Sequence, residues 1–307
     1  MPEWTKDIRN PLVKELIWSI SSPQILHYNG PVYSTLAHDW WIDKIEQNSE
    51  FYFHLDKHPS LLESALRPFE HIPLGKRHEL FIRFFLEHTP SINLILHSFQ
   101  IIEKNKTLGE IDFIFSDQDS GITYQLEVAC KFFLQHKRSK NWNNFIGPNG
   151  NDKLENRVEK TIRQLTLSNH EQVQNHLINI PHSEIIPVAS LRGFIFHHYK
   201  QLSKALTPKS STKNYNAGWY CFENEMPQFF ANNNYWSITK KRSWLAPIHL
   251  ELDAPNVMSS EDTITLCKTQ FKLSKHSIAL VQLEATSKGF VEMSRGFVVH
   301  NSWPNLK

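Results

Sequence analysis

The sequence predicts an α/β fold: a mixed central sheet flanked by helices, with a helical N-terminal segment and a smaller α+β lobe at the C-terminus. Three observations lead there. Residues 107–133 read as two strands joined by a polar turn, residues 75–88 immediately before them read as an amphipathic helix, and a further helix and strand follow. That alternation is the one expected of a layered α/β domain.

Taken in order, Pro11 to Ser21 carries Leu12, Val13, Leu16 and Ile17 at helical spacing, a stripe suited to a core. Val32 to Glu46 and Leu61 to Ala65 are further helical segments, and Trp40-Trp41 belongs in a core or at a domain seam. His54 and His58 stand four apart, a ligand spacing on a helix, but no third ligand is near, which argues against zinc. From Gly75 to His88, Leu80, Phe81, Phe84 and Phe85 make a buried stripe, and Thr89-Pro90 stops the helix. Ile92 to Ile102 is the first core strand.

In the hairpin, Ile111, Phe113 and Phe115 face one way and Asp112 the other, while Asp117-Gln118-Asp119-Ser120-Gly121 supplies the turn. The second strand alternates Ile122, Tyr124, Leu126, Val128, Cys130 and Phe132 on a dry face with Thr123, Gln125, Glu127, Ala129 and Lys131 on a charged one. Asp112 and Glu127 then lie side by side on adjacent strands, with Lys131 on the same face. Two such carboxylates repel unless a hard cation sits between them, and Mg²⁺ or Mn²⁺ suits that position. A cation there can activate water and neutralise a scissile phosphate, with an ammonium group nearby to orient the nucleophile, which is the chemistry of phosphodiester hydrolysis. The same pattern also suits a hairpin whose outer face is merely wet.

Residues 135–151 form a basic loop in which His136, Lys137, Arg138 and Lys140 alternate with Trp142 and Phe145, a composition that can hold phosphates and stack bases. In the helix from Asn151 to about Leu167, Leu154, Val158, Ile162 and Leu165 are the apolar side. Lys153, Arg157, Lys160 and Gln164 recur along another stripe that can track a nucleic-acid backbone. Ile185 to Phe196 is a strand ending in His197-His198-Tyr199. Lys204 to Asn216 has the composition of a linker. Beyond it, Ile278 to Glu284 and Phe290 to His300 alternate as strands, and Trp219, Tyr220, Phe222, Trp236 and Trp244 are better suited to core packing than to base stacking.

Gly109-Glu110-Ile111-Asp112, followed after the turn by Leu126-Glu127-Val128-Ala129-Cys130-Lys131, resembles the PD-(D/E)XK nuclease superfamily, in which an Asp and a Glu-X-Lys lie on neighbouring core strands. More closely, the chain resembles an uncharacterised bacterial domain-of-unknown-function family within that superfamily. The pattern runs on through Trp142, Ile146-Gly147-Pro148-Asn149, Leu191-Arg192-Gly193, Arg295-Gly296-Phe297-Val298-Val299 and Trp303-Pro304, so that it covers most of the chain. The resemblance implies a restriction-endonuclease-like core over residues 69–203, preceded by a helical extension over 1–68 and followed by the C-terminal lobe over 217–307, packed on the core. It implies a Mg²⁺- or Mn²⁺-dependent nuclease acting on DNA or RNA, with Asp112 and Glu127 as metal ligands, Lys131 positioning the nucleophile, and Glu79 leaning toward the metal. Glu79 is equally placed to pair with Arg83 one turn on. Lys137, Arg138, Trp142, Lys153 and Arg157 are the expected nucleic-acid contacts. The chain departs from the superfamily at Ala129, where the Lys is usually found; Lys131 keeps the face but sits about 7 Å further along the strand, within reach of a long side chain.

Composition limits the alternatives. A chain of 307 residues with 40% hydrophobic content has ample material for a core, and a formal net charge of +2 excludes a polybasic nucleic-acid binder. Cys130, Cys221 and Cys267 are far apart and form no CxxC pair, which suits a reducing compartment rather than a disulfide or zinc framework. No signal-peptide core or spanning apolar run is present, so a cytoplasmic location is expected. The leading alternative to catalysis is a nuclease-fold protein that binds nucleic acid or regulates without turnover. Another is an interaction scaffold built on the C-terminal lobe.

Overall fold

A computed structural model describes residues 1–30, 33–69, 72–182, 184–232 and 234–306. Helix α1 (Pro11–Ser21) begins where the Asn10 side chain accepts from the amides of Leu12 and Val13, with Pro11 in the first turn. Strand β1 (Ser34–Thr35) precedes α2 (His38–Gln47), so the helix expected from Val32 starts at His38; Val32 itself lies outside the described residues. Helices α3 (Ser49–Lys57), α4 (Ser60–Leu66) and α5 (Leu74–His88) follow. Next come β2 (Ile92–Glu103), β3 (Lys106–Asp117), β4 (Ile122–Gln135) and β5 (Phe145–Ile146), then α6 (Leu154–Leu165), α7 (Glu171–Leu177) and β6 (Ile185–His198). The rest of the chain supplies β7 (Asn216–Phe222), α8 (Met226–Phe229), β8 (Tyr235–Ile238), β9 (His249–Leu250), α9 (Ser260–Leu273), β10 (Ile278–Thr286) and β11 (Gly289–Val299). The strands make a large mixed sheet flanked by helices, as an α/β fold requires. Among the described residues no helix is long and apolar enough to cross a membrane.

The chain divides into two compact units that interleave along the sequence: residues 1–130, 157–193 and 212–214 form the first, and 131–156, 194–211 and 215–307 the second. In the first, the strand order is β2-β3-β4-β6, with β1 parallel to β6. Helix α5 packs on α1, β2 and β3, and is buried more widely than one stripe: Phe81, Phe84 and Phe85 are joined by His78, Ile82 and Leu86. The hairpin turn is anchored by Lys44 of α2, whose ammonium lies 2.6 Å from Asp117 Oδ1 and 2.5 Å from Asp119 Oδ2, while Trp40 Nε1 donates to Asp117 Oδ2 at 3.0 Å. Trp41 is fully buried.

In the second unit, β6 pairs with β7 and β7 with β11 in parallel, while β11–β10 and β10–β8 are antiparallel. Trp219, Met226, Phe230, Trp236, Phe271 and Leu280 meet in its core, so these C-terminal aromatics pack rather than stand ready to stack bases. Gly296 lies against the Trp219 carbonyl, 2.1 Å from where a Cβ would be, so only glycine fits there. The stretch from Lys204 to Asn216 is tied down within each unit: Trp142 Nε1 donates to the Lys209 carbonyl at 2.9 Å, and Thr212 N–H donates to the Ile25 carbonyl at 3.2 Å.

Candidate functional site

Strand alternation sends Glu110, Asp112 and Ile114 to one face of β3, and the face opposite carries Ile111, Phe113 and Phe115, all buried. The β3–β4 ladder runs from Asp117↔Ile122 to Phe113↔Leu126, one step short of the two acids. There the carboxylates replace the ladder: Asp112 N–H donates to Glu127 Oε1 at 3.2 Å, and Val128 N–H donates to Asp112 Oδ2 at 2.9 Å. Each acid therefore grips the other's strand, and the two side chains converge.

Helix α5 brings Glu79 to the same place. One carboxylate oxygen each from Glu79, Glu110 and Asp112 lie within 4.8 Å of one another, the spacing of oxygen ligands around one cation. Lys76, one turn before Glu79, bonds Glu79 and lies 3.4 Å from Glu110 Oε1; Ser98 Oγ donates to Glu79 Oε1 at 3.1 Å. Ser98 sits on β2 between His97↔Phe113 and Phe99↔Ile111, and its φ of 48° is the left-handed region that non-glycine residues rarely adopt. Arg83 pairs with Glu87 at 2.7 Å, so the alternative partner for Glu79 is engaged elsewhere.

Depth grades the acids. The side chains of Glu79 and Glu110 are 15% and 30% exposed, whereas Asp112 is 8% exposed and Glu127 1%. Burial, followed by the charge of Glu79, pushes the Asp112 carboxyl up to about 6. Burial and then Asp112 hold Glu127 well above the usual carboxylate range. Glu127 Oε2 has no hydrogen-bond partner in this dry surrounding, an arrangement that proteins ordinarily avoid.

Helix α6 closes this face. Gln125 Nε2 donates to the Gln164 carbonyl at 2.8 Å, and Gln164 Nε2 donates to the Glu110 carbonyl at 3.1 Å. Arg157 Nη2 donates to the Val128 carbonyl at 3.0 Å, and its charge lowers the pKa of both Asp112 and Glu127, opposing the effect of burial. The charged face of β4 is thus not solvated as its alternation suggests: Thr123, Gln125, Glu127 and Ala129 are all buried, because the polar side chains bond to α6 and to β3.

Of the residues expected at a site, Glu79, Asp112 and Glu127 gather in the first unit, and Arg157 joins them beside the acids rather than on an open ridge. Lys131 belongs to the second unit, where its ammonium pairs with Asp152 at 2.6 Å. Lys137, Arg138 and Lys153 are exposed there, and Trp142 is half-buried. Glu110, Lys76 and Ser98 were not anticipated. Glu110 carried a readable signal, since it precedes Asp112 by two residues and shares its face; Lys76 is likewise one helical turn from Glu79. Ser98 carried none, because its place depends on the β2–β3 register.

The chain belongs to the family described as Domain of unknown function (DUF1853), whose model matches residues 14–299. Comparison with curated proteins finds no match, and comparison with solved structures finds none either.

Proposed function

We propose that this member of the DUF1853 family is a metal-dependent nuclease of the PD-(D/E)XK type, with a restriction-endonuclease-like core, that hydrolyses phosphodiester bonds of DNA or RNA. The observation that carries the reading is the convergence of Glu79, Glu110 and Asp112 on one point, backed by the buried and half-partnered Glu127. The donor set fits Mg²⁺ or Mn²⁺, since every ligand is a carboxylate oxygen. Such an ion, once bound, supplies Lewis acidity and an acidified water. Glu79, Glu110 and Asp112 would hold it, and Glu127 would fix Asp112 and take up a proton from the attacking water. Lys76 and Arg157 would offset the charge that builds on the phosphate. Lys137, Arg138 and Lys153 are exposed cations available to a nucleic-acid backbone.

Titration with Mn²⁺ at pH 7.5, followed by calorimetry and by cleavage of plasmid, single-stranded DNA and RNA, tests the reading. It fails if the ion neither binds with a defined stoichiometry nor promotes cleavage. A second reading, nucleic-acid binding without turnover, is favoured by Ala129 at the position of the usual Lys and by the Lys131–Asp152 pair. It predicts salt-sensitive binding and no cut product.

Two further outcomes follow from the geometry. Because the Asp112 carboxyl titrates near 6, Mn²⁺ must displace a proton below that pH. The thermal upshift given by 1 mM Mn²⁺ (about this concentration suits a site of this class) is expected to grow between pH 5.5 and 7.5, and an upshift that is flat with pH would contradict the assignment. Lys76 acts as the resident cation of Glu79 and Glu110. Half-exposed ion pairs of this kind are worth up to about 1 kcal/mol, so Lys76→Met should tighten Mn²⁺ binding by roughly 3- to 5-fold in calorimetry. Weaker binding would make Lys76 a support for the site rather than a competitor.

A further inference from the structure

Away from the acidic site, the first unit buries a cation that has no acid beside it among the described residues. Arg192, on β6, is 0% exposed. Its Nη1 donates to the Ser22 carbonyl, and the guanidinium carbon lies 4.8 Å from the centroid of the Trp41 ring. Nε and Nη2 have no hydrogen-bond partner. The ionisable group that acts on the guanidinium is the Cys130 thiol, and no carboxylate does so among the described residues. Burial pulls the Arg192 pKa down to about 9, so the side chain remains a cation at neutral pH.

The surroundings share the same deficit. Both ring nitrogens of His78 lack partners, as do Trp41 Nε1, Ser22 Oγ and Ser190 Oγ, and all four residues are at most 1% exposed. His78 feels the charge of Arg192, and burial drops its pKa to about 3, leaving a neutral ring with one N–H to give. An uncompensated buried charge is among the most destabilising features a fold can carry, and a buried donor without an acceptor adds to it. The orphaned atoms are mainly donors: two nitrogens of Arg192 bearing three N–H groups, one N–H each from His78 and Trp41, and hydroxyls free to rotate. What completes this set is an acceptor with negative charge. These residues are all at most 1% exposed, so whatever completes the set must be small enough to be enclosed.

We propose that Arg192, with His78 and Trp41, forms an internal site for a small inorganic anion of the halide class, filled by chloride, which serves as the counter-ion of the first unit's core. The site is separate from the acidic cluster and does not depend on the nuclease reading.

The test is a series of thermal melts at constant ionic strength in which chloride or bromide replaces gluconate, an anion too large to be enclosed. Halide is expected to raise the melting temperature by about 2–4 °C between low and high concentration, in proportion to its logarithm. In Arg192→Met the halide-specific increment should vanish. An equal melting temperature in gluconate and halide would overturn the proposal in favour of enclosed water, and an undiminished increment in Arg192→Met would place the effect on surface sites. Should that variant fail to fold, crystals of the unaltered protein grown in bromide decide the matter. An anomalous peak in contact with the Arg192 guanidinium upholds the site, and none there overturns it.

Discussion

Asp112→Ala is expected to lower Mn²⁺-stimulated cleavage by about 1,000-fold, the loss that follows removal of a group stabilising charge at a reacting centre. Asp112 links the oxygen cluster to the buried acid behind it: it shares the cluster with Glu79 and Glu110, accepts from the Val128 amide, and is bonded through its own amide to Glu127. Glu127→Ala should be of similar size, since it removes the group that fixes Asp112 and orphans the Asp112 N–H. Glu87→Ala, which breaks only the exposed pair with Arg83, serves as the control and should leave cleavage within about 2-fold of the unaltered rate, as a surface ion pair contributes little. Initial rates on a labelled substrate, with and without Mn²⁺, measure all three. Unchanged cleavage in Asp112→Ala and Glu127→Ala would remove this site from consideration, whatever else the protein does.

How far the sequence alone could be read depends on the range of the interactions involved. The hairpin was legible because its determinants are local: alternation in Ile111 to Phe115 and in Ile122 to Phe132, with a turn rich in Asp, Ser and Gly between them. Helix α5 was legible for the same reason. The burial of Thr123, Gln125 and Glu127 was not, because alternation reports polarity and not what covers it; Thr123 and Glu127 bond to β3, and the partner of Gln125 is Gln164, some forty residues away. The ridge on α6 illustrates the same limit. Lys153, Arg157, Lys160 and Gln164 have the spacing of one helical stripe, yet Lys153 lies just ahead of α6, Lys160 faces solvent, and Arg157 and Gln164 turn into the site. Helical period alone cannot separate them, and only the packing of α6 against the β3–β4 face does so. Nor does a linear sequence disclose that units interleave, since the parallel pairing of β6 with β7 and of β7 with β11 joins segments far apart in the chain.

A carboxyl proposed to hold a metal should be a liability without it, and Asp112→Asn separates the two roles. An Asp in an unfolded chain titrates near 3.8, whereas burial raises Asp112 to about 6 in the folded state. Below pH 3.8 the group is protonated in both states and its contribution to stability is fully present. As the pH rises through 6 the folded protein must ionise it in a dry surrounding beside Glu79, and that contribution is lost. A difference of this size corresponds to about 2–3 kcal/mol at pH 7.5. Asparagine never ionises and still accepts from the Val128 amide, so in EDTA the variant is expected to be more stable than the unaltered protein by about that amount at pH 7.5, and by little at pH 4. Saturating Mn²⁺ should narrow or reverse the order, because a divalent ion compensates the ionised Asp112 and finds a weaker ligand in Asn. Denaturant titrations at the two pH values, each with EDTA and with Mn²⁺, make the comparison. A variant less stable in EDTA at pH 7.5 than the unaltered protein would mean that Asp112 is held by its hydrogen bonds as a comfortable structural carboxylate. The case for a cation among these acids would then lose its energetic basis.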